Sequence, residues 1–186
     1  MTLNNKGQSM IGAVVASALI GISAMALCSL MSSMSIAQAR VQRASNWNST
    51  QNNITNVLKN LNSCSATVLQ LKTVGTIPQS LSILVAPGTA VLANGQNLGY
   101  QLTNAKVNLV AVGTATPIQV TQTVNQTTTT PCGQTQTVQV NVQVTEYIQQ
   151  AQITASAYYM PRNQPFSQVY YVNVLLDANK NVLGCN

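Results

Sequence analysis

Met10–Ala37, MIGAVVASALIGISAMALCSLMSSMSIA, is the stretch that decides how the rest of the chain is read. No charged residue lies between Lys6 and Arg40. A helix needs about 20 mainly apolar residues to cross a hydrocarbon core, so the stretch is long enough to span a bilayer. Its serines and two glycines keep its hydrophobicity moderate. On its N-terminal side stands Lys6. On its C-terminal side Ala37-Gln38-Ala39 fits the small-x-small rule of a secretory cleavage site, which would release a chain beginning at Arg40. The apolar run is about twice the usual signal core of 7–15 residues. A plain uncleaved anchor is the other simple reading. Lys6 before the span and Arg40 and Arg43 after it leave its orientation open by the positive-inside rule.

The chain of 186 residues suits one domain, or a membrane segment plus one small domain. Only 5% of residues are charged, against roughly 25% in typical soluble domains. Polarity comes instead from Asn, Gln and Thr, 20 of each. The net charge of +6 is diffuse: of the eight cations only Arg40 and Arg43 are close together. A nucleic-acid face usually clusters its bases on one element.

With no His, and Glu146 and Asp177 the only acids, a His-based triad, a carboxylate metal cluster and a His-rich zinc site are excluded. A glycosidase-type pair would require both acids, which lie 31 residues apart. A cysteine nucleophile would lack its His base. No catalytic, cofactor or metal site is expected.

Residues 38–62 continue without Pro or Gly, and Val41, Trp47, Ile54, Val57, Leu58 and Leu61 recur at mostly helical spacing. An amphipathic continuation of the apolar helix is expected here. Its many Asn residues are poor helix formers, so packing of Trp47, Ile54 and Leu58 on a sheet must compensate. After Cys64, Gly and Pro punctuate short apolar runs: 81–86, 91–93, 98–102, 107–112, 118–124, 153–160 and 168–176. The clearest strand is Thr137–Thr145, TVQVNVQVT, with Val138, Val140, Val142 and Val144 on one face. That valine face is expected to pack under the amphipathic helix. Asp177–Asn181 reads as a turn before a last short strand at Val182-Leu183, and Thr127–Gly133 as a polar hairpin connection. The expected class is α+β: a long N-terminal helix, membrane-spanning in its first half, on an antiparallel sheet.

The spacing of residues 6–40 adds a sharper expectation. Lys6-Gly7-Gln8-Ser9-Met10-Ile11 resembles the processing site of type IV prepilins and pseudopilins, where a peptidase cuts after the Gly of a short basic leader and the new N-terminus is methylated. The leader would be residues 1–7 and the first mature residue Gln8. Ile11 falls where the family has its first Leu or Ile, and Gly21 falls inside Ala18-Leu19-Ile20-Gly21-Ile22, matching a run the family carries at the same distance from the cut. Three positions depart from the pattern: Gln8 replaces Phe, Gly12 replaces Glu, and Ser29 replaces a mid-helix Pro. In the family the Glu neutralises the N-terminal ammonium of a neighbouring subunit, since an unpaired charge in lipid is costly. Gly12 cannot do so, which by resemblance implies a minor component, at the tip rather than in the shaft.

The resemblance divides the chain into leader 1–7, filament-core helix 8–37, amphipathic continuation 38–62 and exported β-rich domain 63–186. It implies that Ile11, Gly12, Gly21 and Ile22 pack against equivalent helices of other pilin subunits, with Gly12, Ala16, Ser17 and Gly21 as a small-residue face. The implied partners are those subunits, the prepilin peptidase and inner-membrane lipid, with nucleic acid only for a DNA-uptake pilus. The implied location is the inner membrane of a bacterial envelope, then the periplasm or a surface filament. Cys28 reads as a small hydrophobe in the span. Cys64, Cys132 and Cys185 leave three possible disulfide pairings; pilins often close a C-terminal loop with one, and Cys185 is penultimate. The alternative from another class is a β-rich surface-binding protein, anchored or secreted, unrelated to pili.

Overall fold

The computed structural model describes residues 5–99, 101–129, 133–159 and 164–186, with side chains from Val14 onward except that of Gln164. The chain divides into two compact units, residues 1–45 and 46–186. Helix α1 runs from Asn5 to Lys59. It therefore begins ahead of Gly7-Gln8, whereas the sequence reading started the helix after that bond. It is followed by α2, Leu61–Val68.

Asn60 separates the two helices. Its backbone is extended, at φ −84° and ψ 119°, and its Oδ1 accepts from the amides of Asn62 (3.1 Å) and Ser63 (3.2 Å). Such an N-cap stabilises a helix by about 1 kcal/mol over Ala. The Asn therefore starts a second helix rather than merely weakening the first, and the expected single helix through residue 62 ends early. Leu61, now the first residue of α2, is exposed, as is Val41; Trp47 and Ile54 are buried as expected.

Among the described residues eight strands follow: β1 (Gln79–Ser80), β2 (Ile83–Ala86), β3 (Thr89–Leu92), β4 (Leu102–Ala111), β5 (Thr116–Thr129), β6 (Thr135–Tyr159), β7 (Gln164–Leu176) and β8 (Val182–Cys185). The six-stranded antiparallel sheet has the order β1-β4-β6-β7-β8, with β5 also paired to β6. β2 and β3 form a separate hairpin. The class is α+β. Of the run 98–102, Leu102 opens β4, Leu98 and Gly99 lie in no named strand, and Gly99 forms an isolated bridge with Leu102. Runs 137–145 and 153–160 merge into the single 25-residue strand β6. Cys132 and Met160 lie outside the described residues.

β6 organises the sheet. β4 pairs with its second half, from Leu102↔Tyr159 to Ala111↔Ala151, and β5 with its first half, from Thr116↔Ile148 to Thr129↔Thr135. Between β4 and β5 the chain turns at Gly113 (φ 73°), a left-handed conformation favouring glycine. The buried Gln149 side chain covers this break: its Nε2 donates to the carbonyls of Val112 (2.8 Å) and Gly113 (3.2 Å).

Within the second unit, Ala151, Ile153 and Ala155 of β6 share a core with Ile54 of α1, Val68 of α2, Val107 and Leu109 of β4, and Val174 of β7. A smaller cluster joins Trp47 to Leu102 and Ala157, with Phe166 at 6.1 Å between ring centroids. The core-facing residues of β6 are thus odd-numbered. Its register with β5 and β7 contains no shift, so Val138, Val140, Val142 and Val144, all even-numbered, point to the other face. The valine stripe does not pack under the helix as its alternation suggested.

Helix α2 is fixed to the end of the chain. Thr67 Oγ1 donates to Ser63 O (2.9 Å) and accepts from Leu84 N (3.0 Å). Ser65 Oγ accepts from Cys185 N at 3.0 Å. A Cβ on Gly184 would meet that Oγ at 2.9 Å, and φ there is +152°, so both space and backbone call for glycine. Beside this contact Cys64 and Cys185 form a disulfide, which selects one of the three pairings and closes a span of 121 residues. Closing so long a loop removes much unfolded-state entropy. Replacing Cys185→Ser should lower unfolding stability by about 2–5 kcal/mol, seen as an earlier urea midpoint of the Trp47 fluorescence in detergent-solubilised chain. An unchanged midpoint would mean the bridge adds nothing to the fold.

Candidate functional site

The most unusual surface of the protein is the apolar part of α1. From Val14 to Ala37 every residue is exposed, including Ile20 at 69% and Met25 at 76%. Its 18-residue apolar window has mean hydropathy 2.2, and none of that window is buried. Soluble monomers rarely leave an apolar surface of this extent in water.

Its polar groups are satisfied within the helix. Ser17 Oγ donates to Val14 O (2.9 Å), Ser23 to Leu19 O (2.8 Å), Ser33 to Leu30 O (2.8 Å) and Ser35 to Ser32 O (2.9 Å). Helices cross hydrocarbon because each backbone polar group finds an internal partner, and here these hydroxyls do the same. Their presence therefore does not count against a span as raw hydrophobicity suggested.

Of the residues singled out in sequence, Gly7, Gln8, Ile11 and Gly12 lie in the α1 backbone, with side chains outside the described residues. Ile22 is exposed, and the Cβ position of Gly21 has nothing within 4 Å. Ser17 and Gly21, four residues apart, share one side of the helix. Cys28 is free and exposed.

The two acids converge, which their sequence separation did not suggest. Glu146 and Asp177 line one cleft of about 270 Å³, together with Gln122, Thr145, Asn179 and Leu183. Glu146 is buried, and its Oε1 accepts from Gln122 Nε2 at 3.0 Å. Asp177 holds its own turn: Oδ1 accepts from the amides of Asn179 (2.8 Å) and Asn181 (2.7 Å), and Oδ2 from Asn181 Nδ2 (2.7 Å). Three of its roughly four lone-pair sites are committed to that turn. Among the described residues no group of three or more His, Cys, Asp or Glu side chains gathers that could hold a metal ion.

The other surface missed in sequence is the outer half of the β5–β6 hairpin. Beyond Tyr147, where β7 pairing begins, it is a two-stranded ribbon whose valine face is open: Val124 and Val138 are 46% exposed and Val142 42%. The absence of charge from Val107 to Thr145 was the available signal.

Comparison of the chain with protein-family models, with curated proteins and with solved structures finds no match.

The Asn181 side chain first, then the Asn181 and Asn179 amides, pull the Asp177 carboxyl below its ordinary value of 3.8. A lowered folded pKa contributes stability above the unfolded value and loses it as pH falls through the folded one. The amide resonances of Asn179 and Asn181 should therefore titrate with a midpoint below 3.8, and Asp177→Asn should remove that titration. A midpoint at or above 3.8 would contradict the hydrogen-bonded turn.

Proposed function

We propose that the chain is a membrane-anchored structural subunit of an exported filament, similar to a minor type IV pilin or pseudopilin. The observation that carries this reading is α1: apolar and exposed over residues 14–37, then continuing as helix into Asn46–Lys59, whose Trp47 and Ile54 enter the core of a disulfide-closed antiparallel domain. The prepilin-like spacing from Gly7 to Gly21 gives the anchor a second use, as the packing surface between subunits.

In this reading the peptidase cuts Gly7–Gln8 at the inner membrane. That bond lies in the first turn of α1, where helices fray most readily. The apolar helix is first solvated by lipid and then packs against equivalent helices. The bare surface at Gly21 admits close approach of a neighbour. The Cys64–Cys185 bridge suits an oxidising compartment outside the cytosol. Gly12, where the family carries Glu, favours a specialised position at the tip, with no subunit ahead whose ammonium needs neutralising. The role is structural: Asp177 is committed to its turn, and no His is available to activate a nucleophile.

The competing reading is a surface-binding protein with an uncleaved anchor. Gly7→Val separates the two. Prepilin-type processing predicts that the wild-type chain from envelopes is lighter by the leader MTLNNKG and that the variant retains it. Retention of the leader by both chains, the variant heavier only by its Gly-to-Val difference, would favour the plain anchor.

A further inference from the structure

The outer part of the β5–β6 hairpin pairs Ile118–Thr129 with Thr135–Glu146, and among the described residues no third strand joins it there. Its faces differ in chemistry. One carries Val120 opposite Val144, Val124 opposite Val140, and Val138 and Val142 opposite glutamines. The Gln122–Glu146 hydrogen bond joins even-numbered side chains and so confirms which face these occupy. The other face is a polar ladder: Thr123 Oγ1 donates to Asn141 Oδ1 at 2.9 Å, and Gln119 Nε2 to Thr145 Oγ1 at 3.1 Å. Two-stranded ribbons are marginal in water by themselves, and exposed strand edges are usually blunted with charge. Beyond the buried Glu146 at its base this ribbon has none: no charged residue occurs between Lys106 and Glu146.

We infer that the valine face of the ribbon docks against the same face of a second copy of this chain. Charge selects that occupant. Each copy carries a net +6, so two copies repel except where charge is absent, and the ribbon beyond Glu146 lies in the longest charge-free run of the second unit, residues 107–145. A nucleic acid, an acidic peptide or an anionic headgroup would find no cation on it. The face is also self-complementary, because valine rows spaced two residues apart meet identical rows when sheets stack about 10 Å apart.

Area points the same way. Twelve residue pairs at about 3.4 Å make a ribbon roughly 40 Å long and about 10 Å wide. Two such faces bury about 800 Å² in all, below the roughly 1,200 Å² of a stable free complex. The occupant must therefore already be held nearby, as a copy anchored in the same membrane is, at an effective concentration in the millimolar range. To that extent the inference rests on the anchored-subunit reading.

The test uses the full chain in native envelopes, with Cys28→Ser and Cys132→Ser leaving only the Cys64–Cys185 bridge. Val142→Cys is compared with Thr123→Cys, on the opposite face, using a short bismaleimide. Docking predicts a homodimer cross-linked through position 142, little product from position 123, and loss of the position-142 product when Val124→Lys is added. Equal yields from both faces, no product from position 142, a cross-link to a different protein or to lipid, or insensitivity to Val124→Lys would each overturn the inference. The N-terminus of the same preparation separates the two ideas. A chain starting at Gln8 without the cross-link defeats the docking alone. A cross-linked chain that keeps Met1 defeats the processed-subunit reading alone.

Discussion

The uncovered apolar surface of α1 is the constraint to which the rest of the protein answers. At roughly 25 cal/mol per Å², leaving the side chains of residues 14–37 in water would outweigh the whole net stability of an ordinary domain of about 5–15 kcal/mol. Nothing in its own unit covers them. The helix is consistent with an apolar solvent in every detail described: no charge, hydroxyls returned to their own backbone, and glycine where a neighbour can approach. In the proposed reading that solvent is lipid first and sister helices afterwards.

The second unit meets a different demand, that of holding a small, nearly uncharged β-domain together. Two devices do most of this. One is β6, whose 25 residues pair with β4, β5 and β7 in turn. The other is the junction of α2 and β8, where Gly184 lets the chain approach Ser65 and the disulfide ties the penultimate residue to the helix. Charge contributes little: Asp177 and Glu146 accept hydrogen bonds from neutral amides. The polarity that elsewhere comes from ion pairs is supplied here by Asn, Gln, Ser and Thr, which bond in short local networks and leave the outer ribbon neutral.

How much of this was legible depends on what each signal encodes. The apolar helix was readable because composition alone sets its solvent. The valine alternation at 138–144 correctly announced a strand, but period two fixes only that alternate residues share a face, not which face meets the core. The alanines at 151, 155 and 157 decide that, and alanine is too weakly apolar to outvote valine in a sequence reading. The end of α1 was misplaced because Asn60 reads as a poor helix former, whereas its extended backbone makes it a cap; the Asn60-Leu-Asn-Ser order could have suggested one. The partnership of Cys64 with Cys185 and the meeting of Glu146 with Asp177 depend on long-range topology, which spacing does not carry. The likeness of residues 6–40 to a prepilin segment belongs to the proposed reading, because the chemistry it implies lies in other molecules.

The central claim is that the apolar part of α1 lies in hydrocarbon in the native membrane, and Cys28 allows it to be tested in place. With Cys132→Ser, Cys28 is the one thiol left outside the disulfide and can carry a nitroxide label. Its collisional relaxation by molecular oxygen and by a water-soluble nickel chelate can then be compared in envelopes. A span in hydrocarbon gives strong relaxation by oxygen and little by the chelate. Relaxation by the chelate as strong as that of a label on the exposed Thr123 would place the helix in water and contradict the claim.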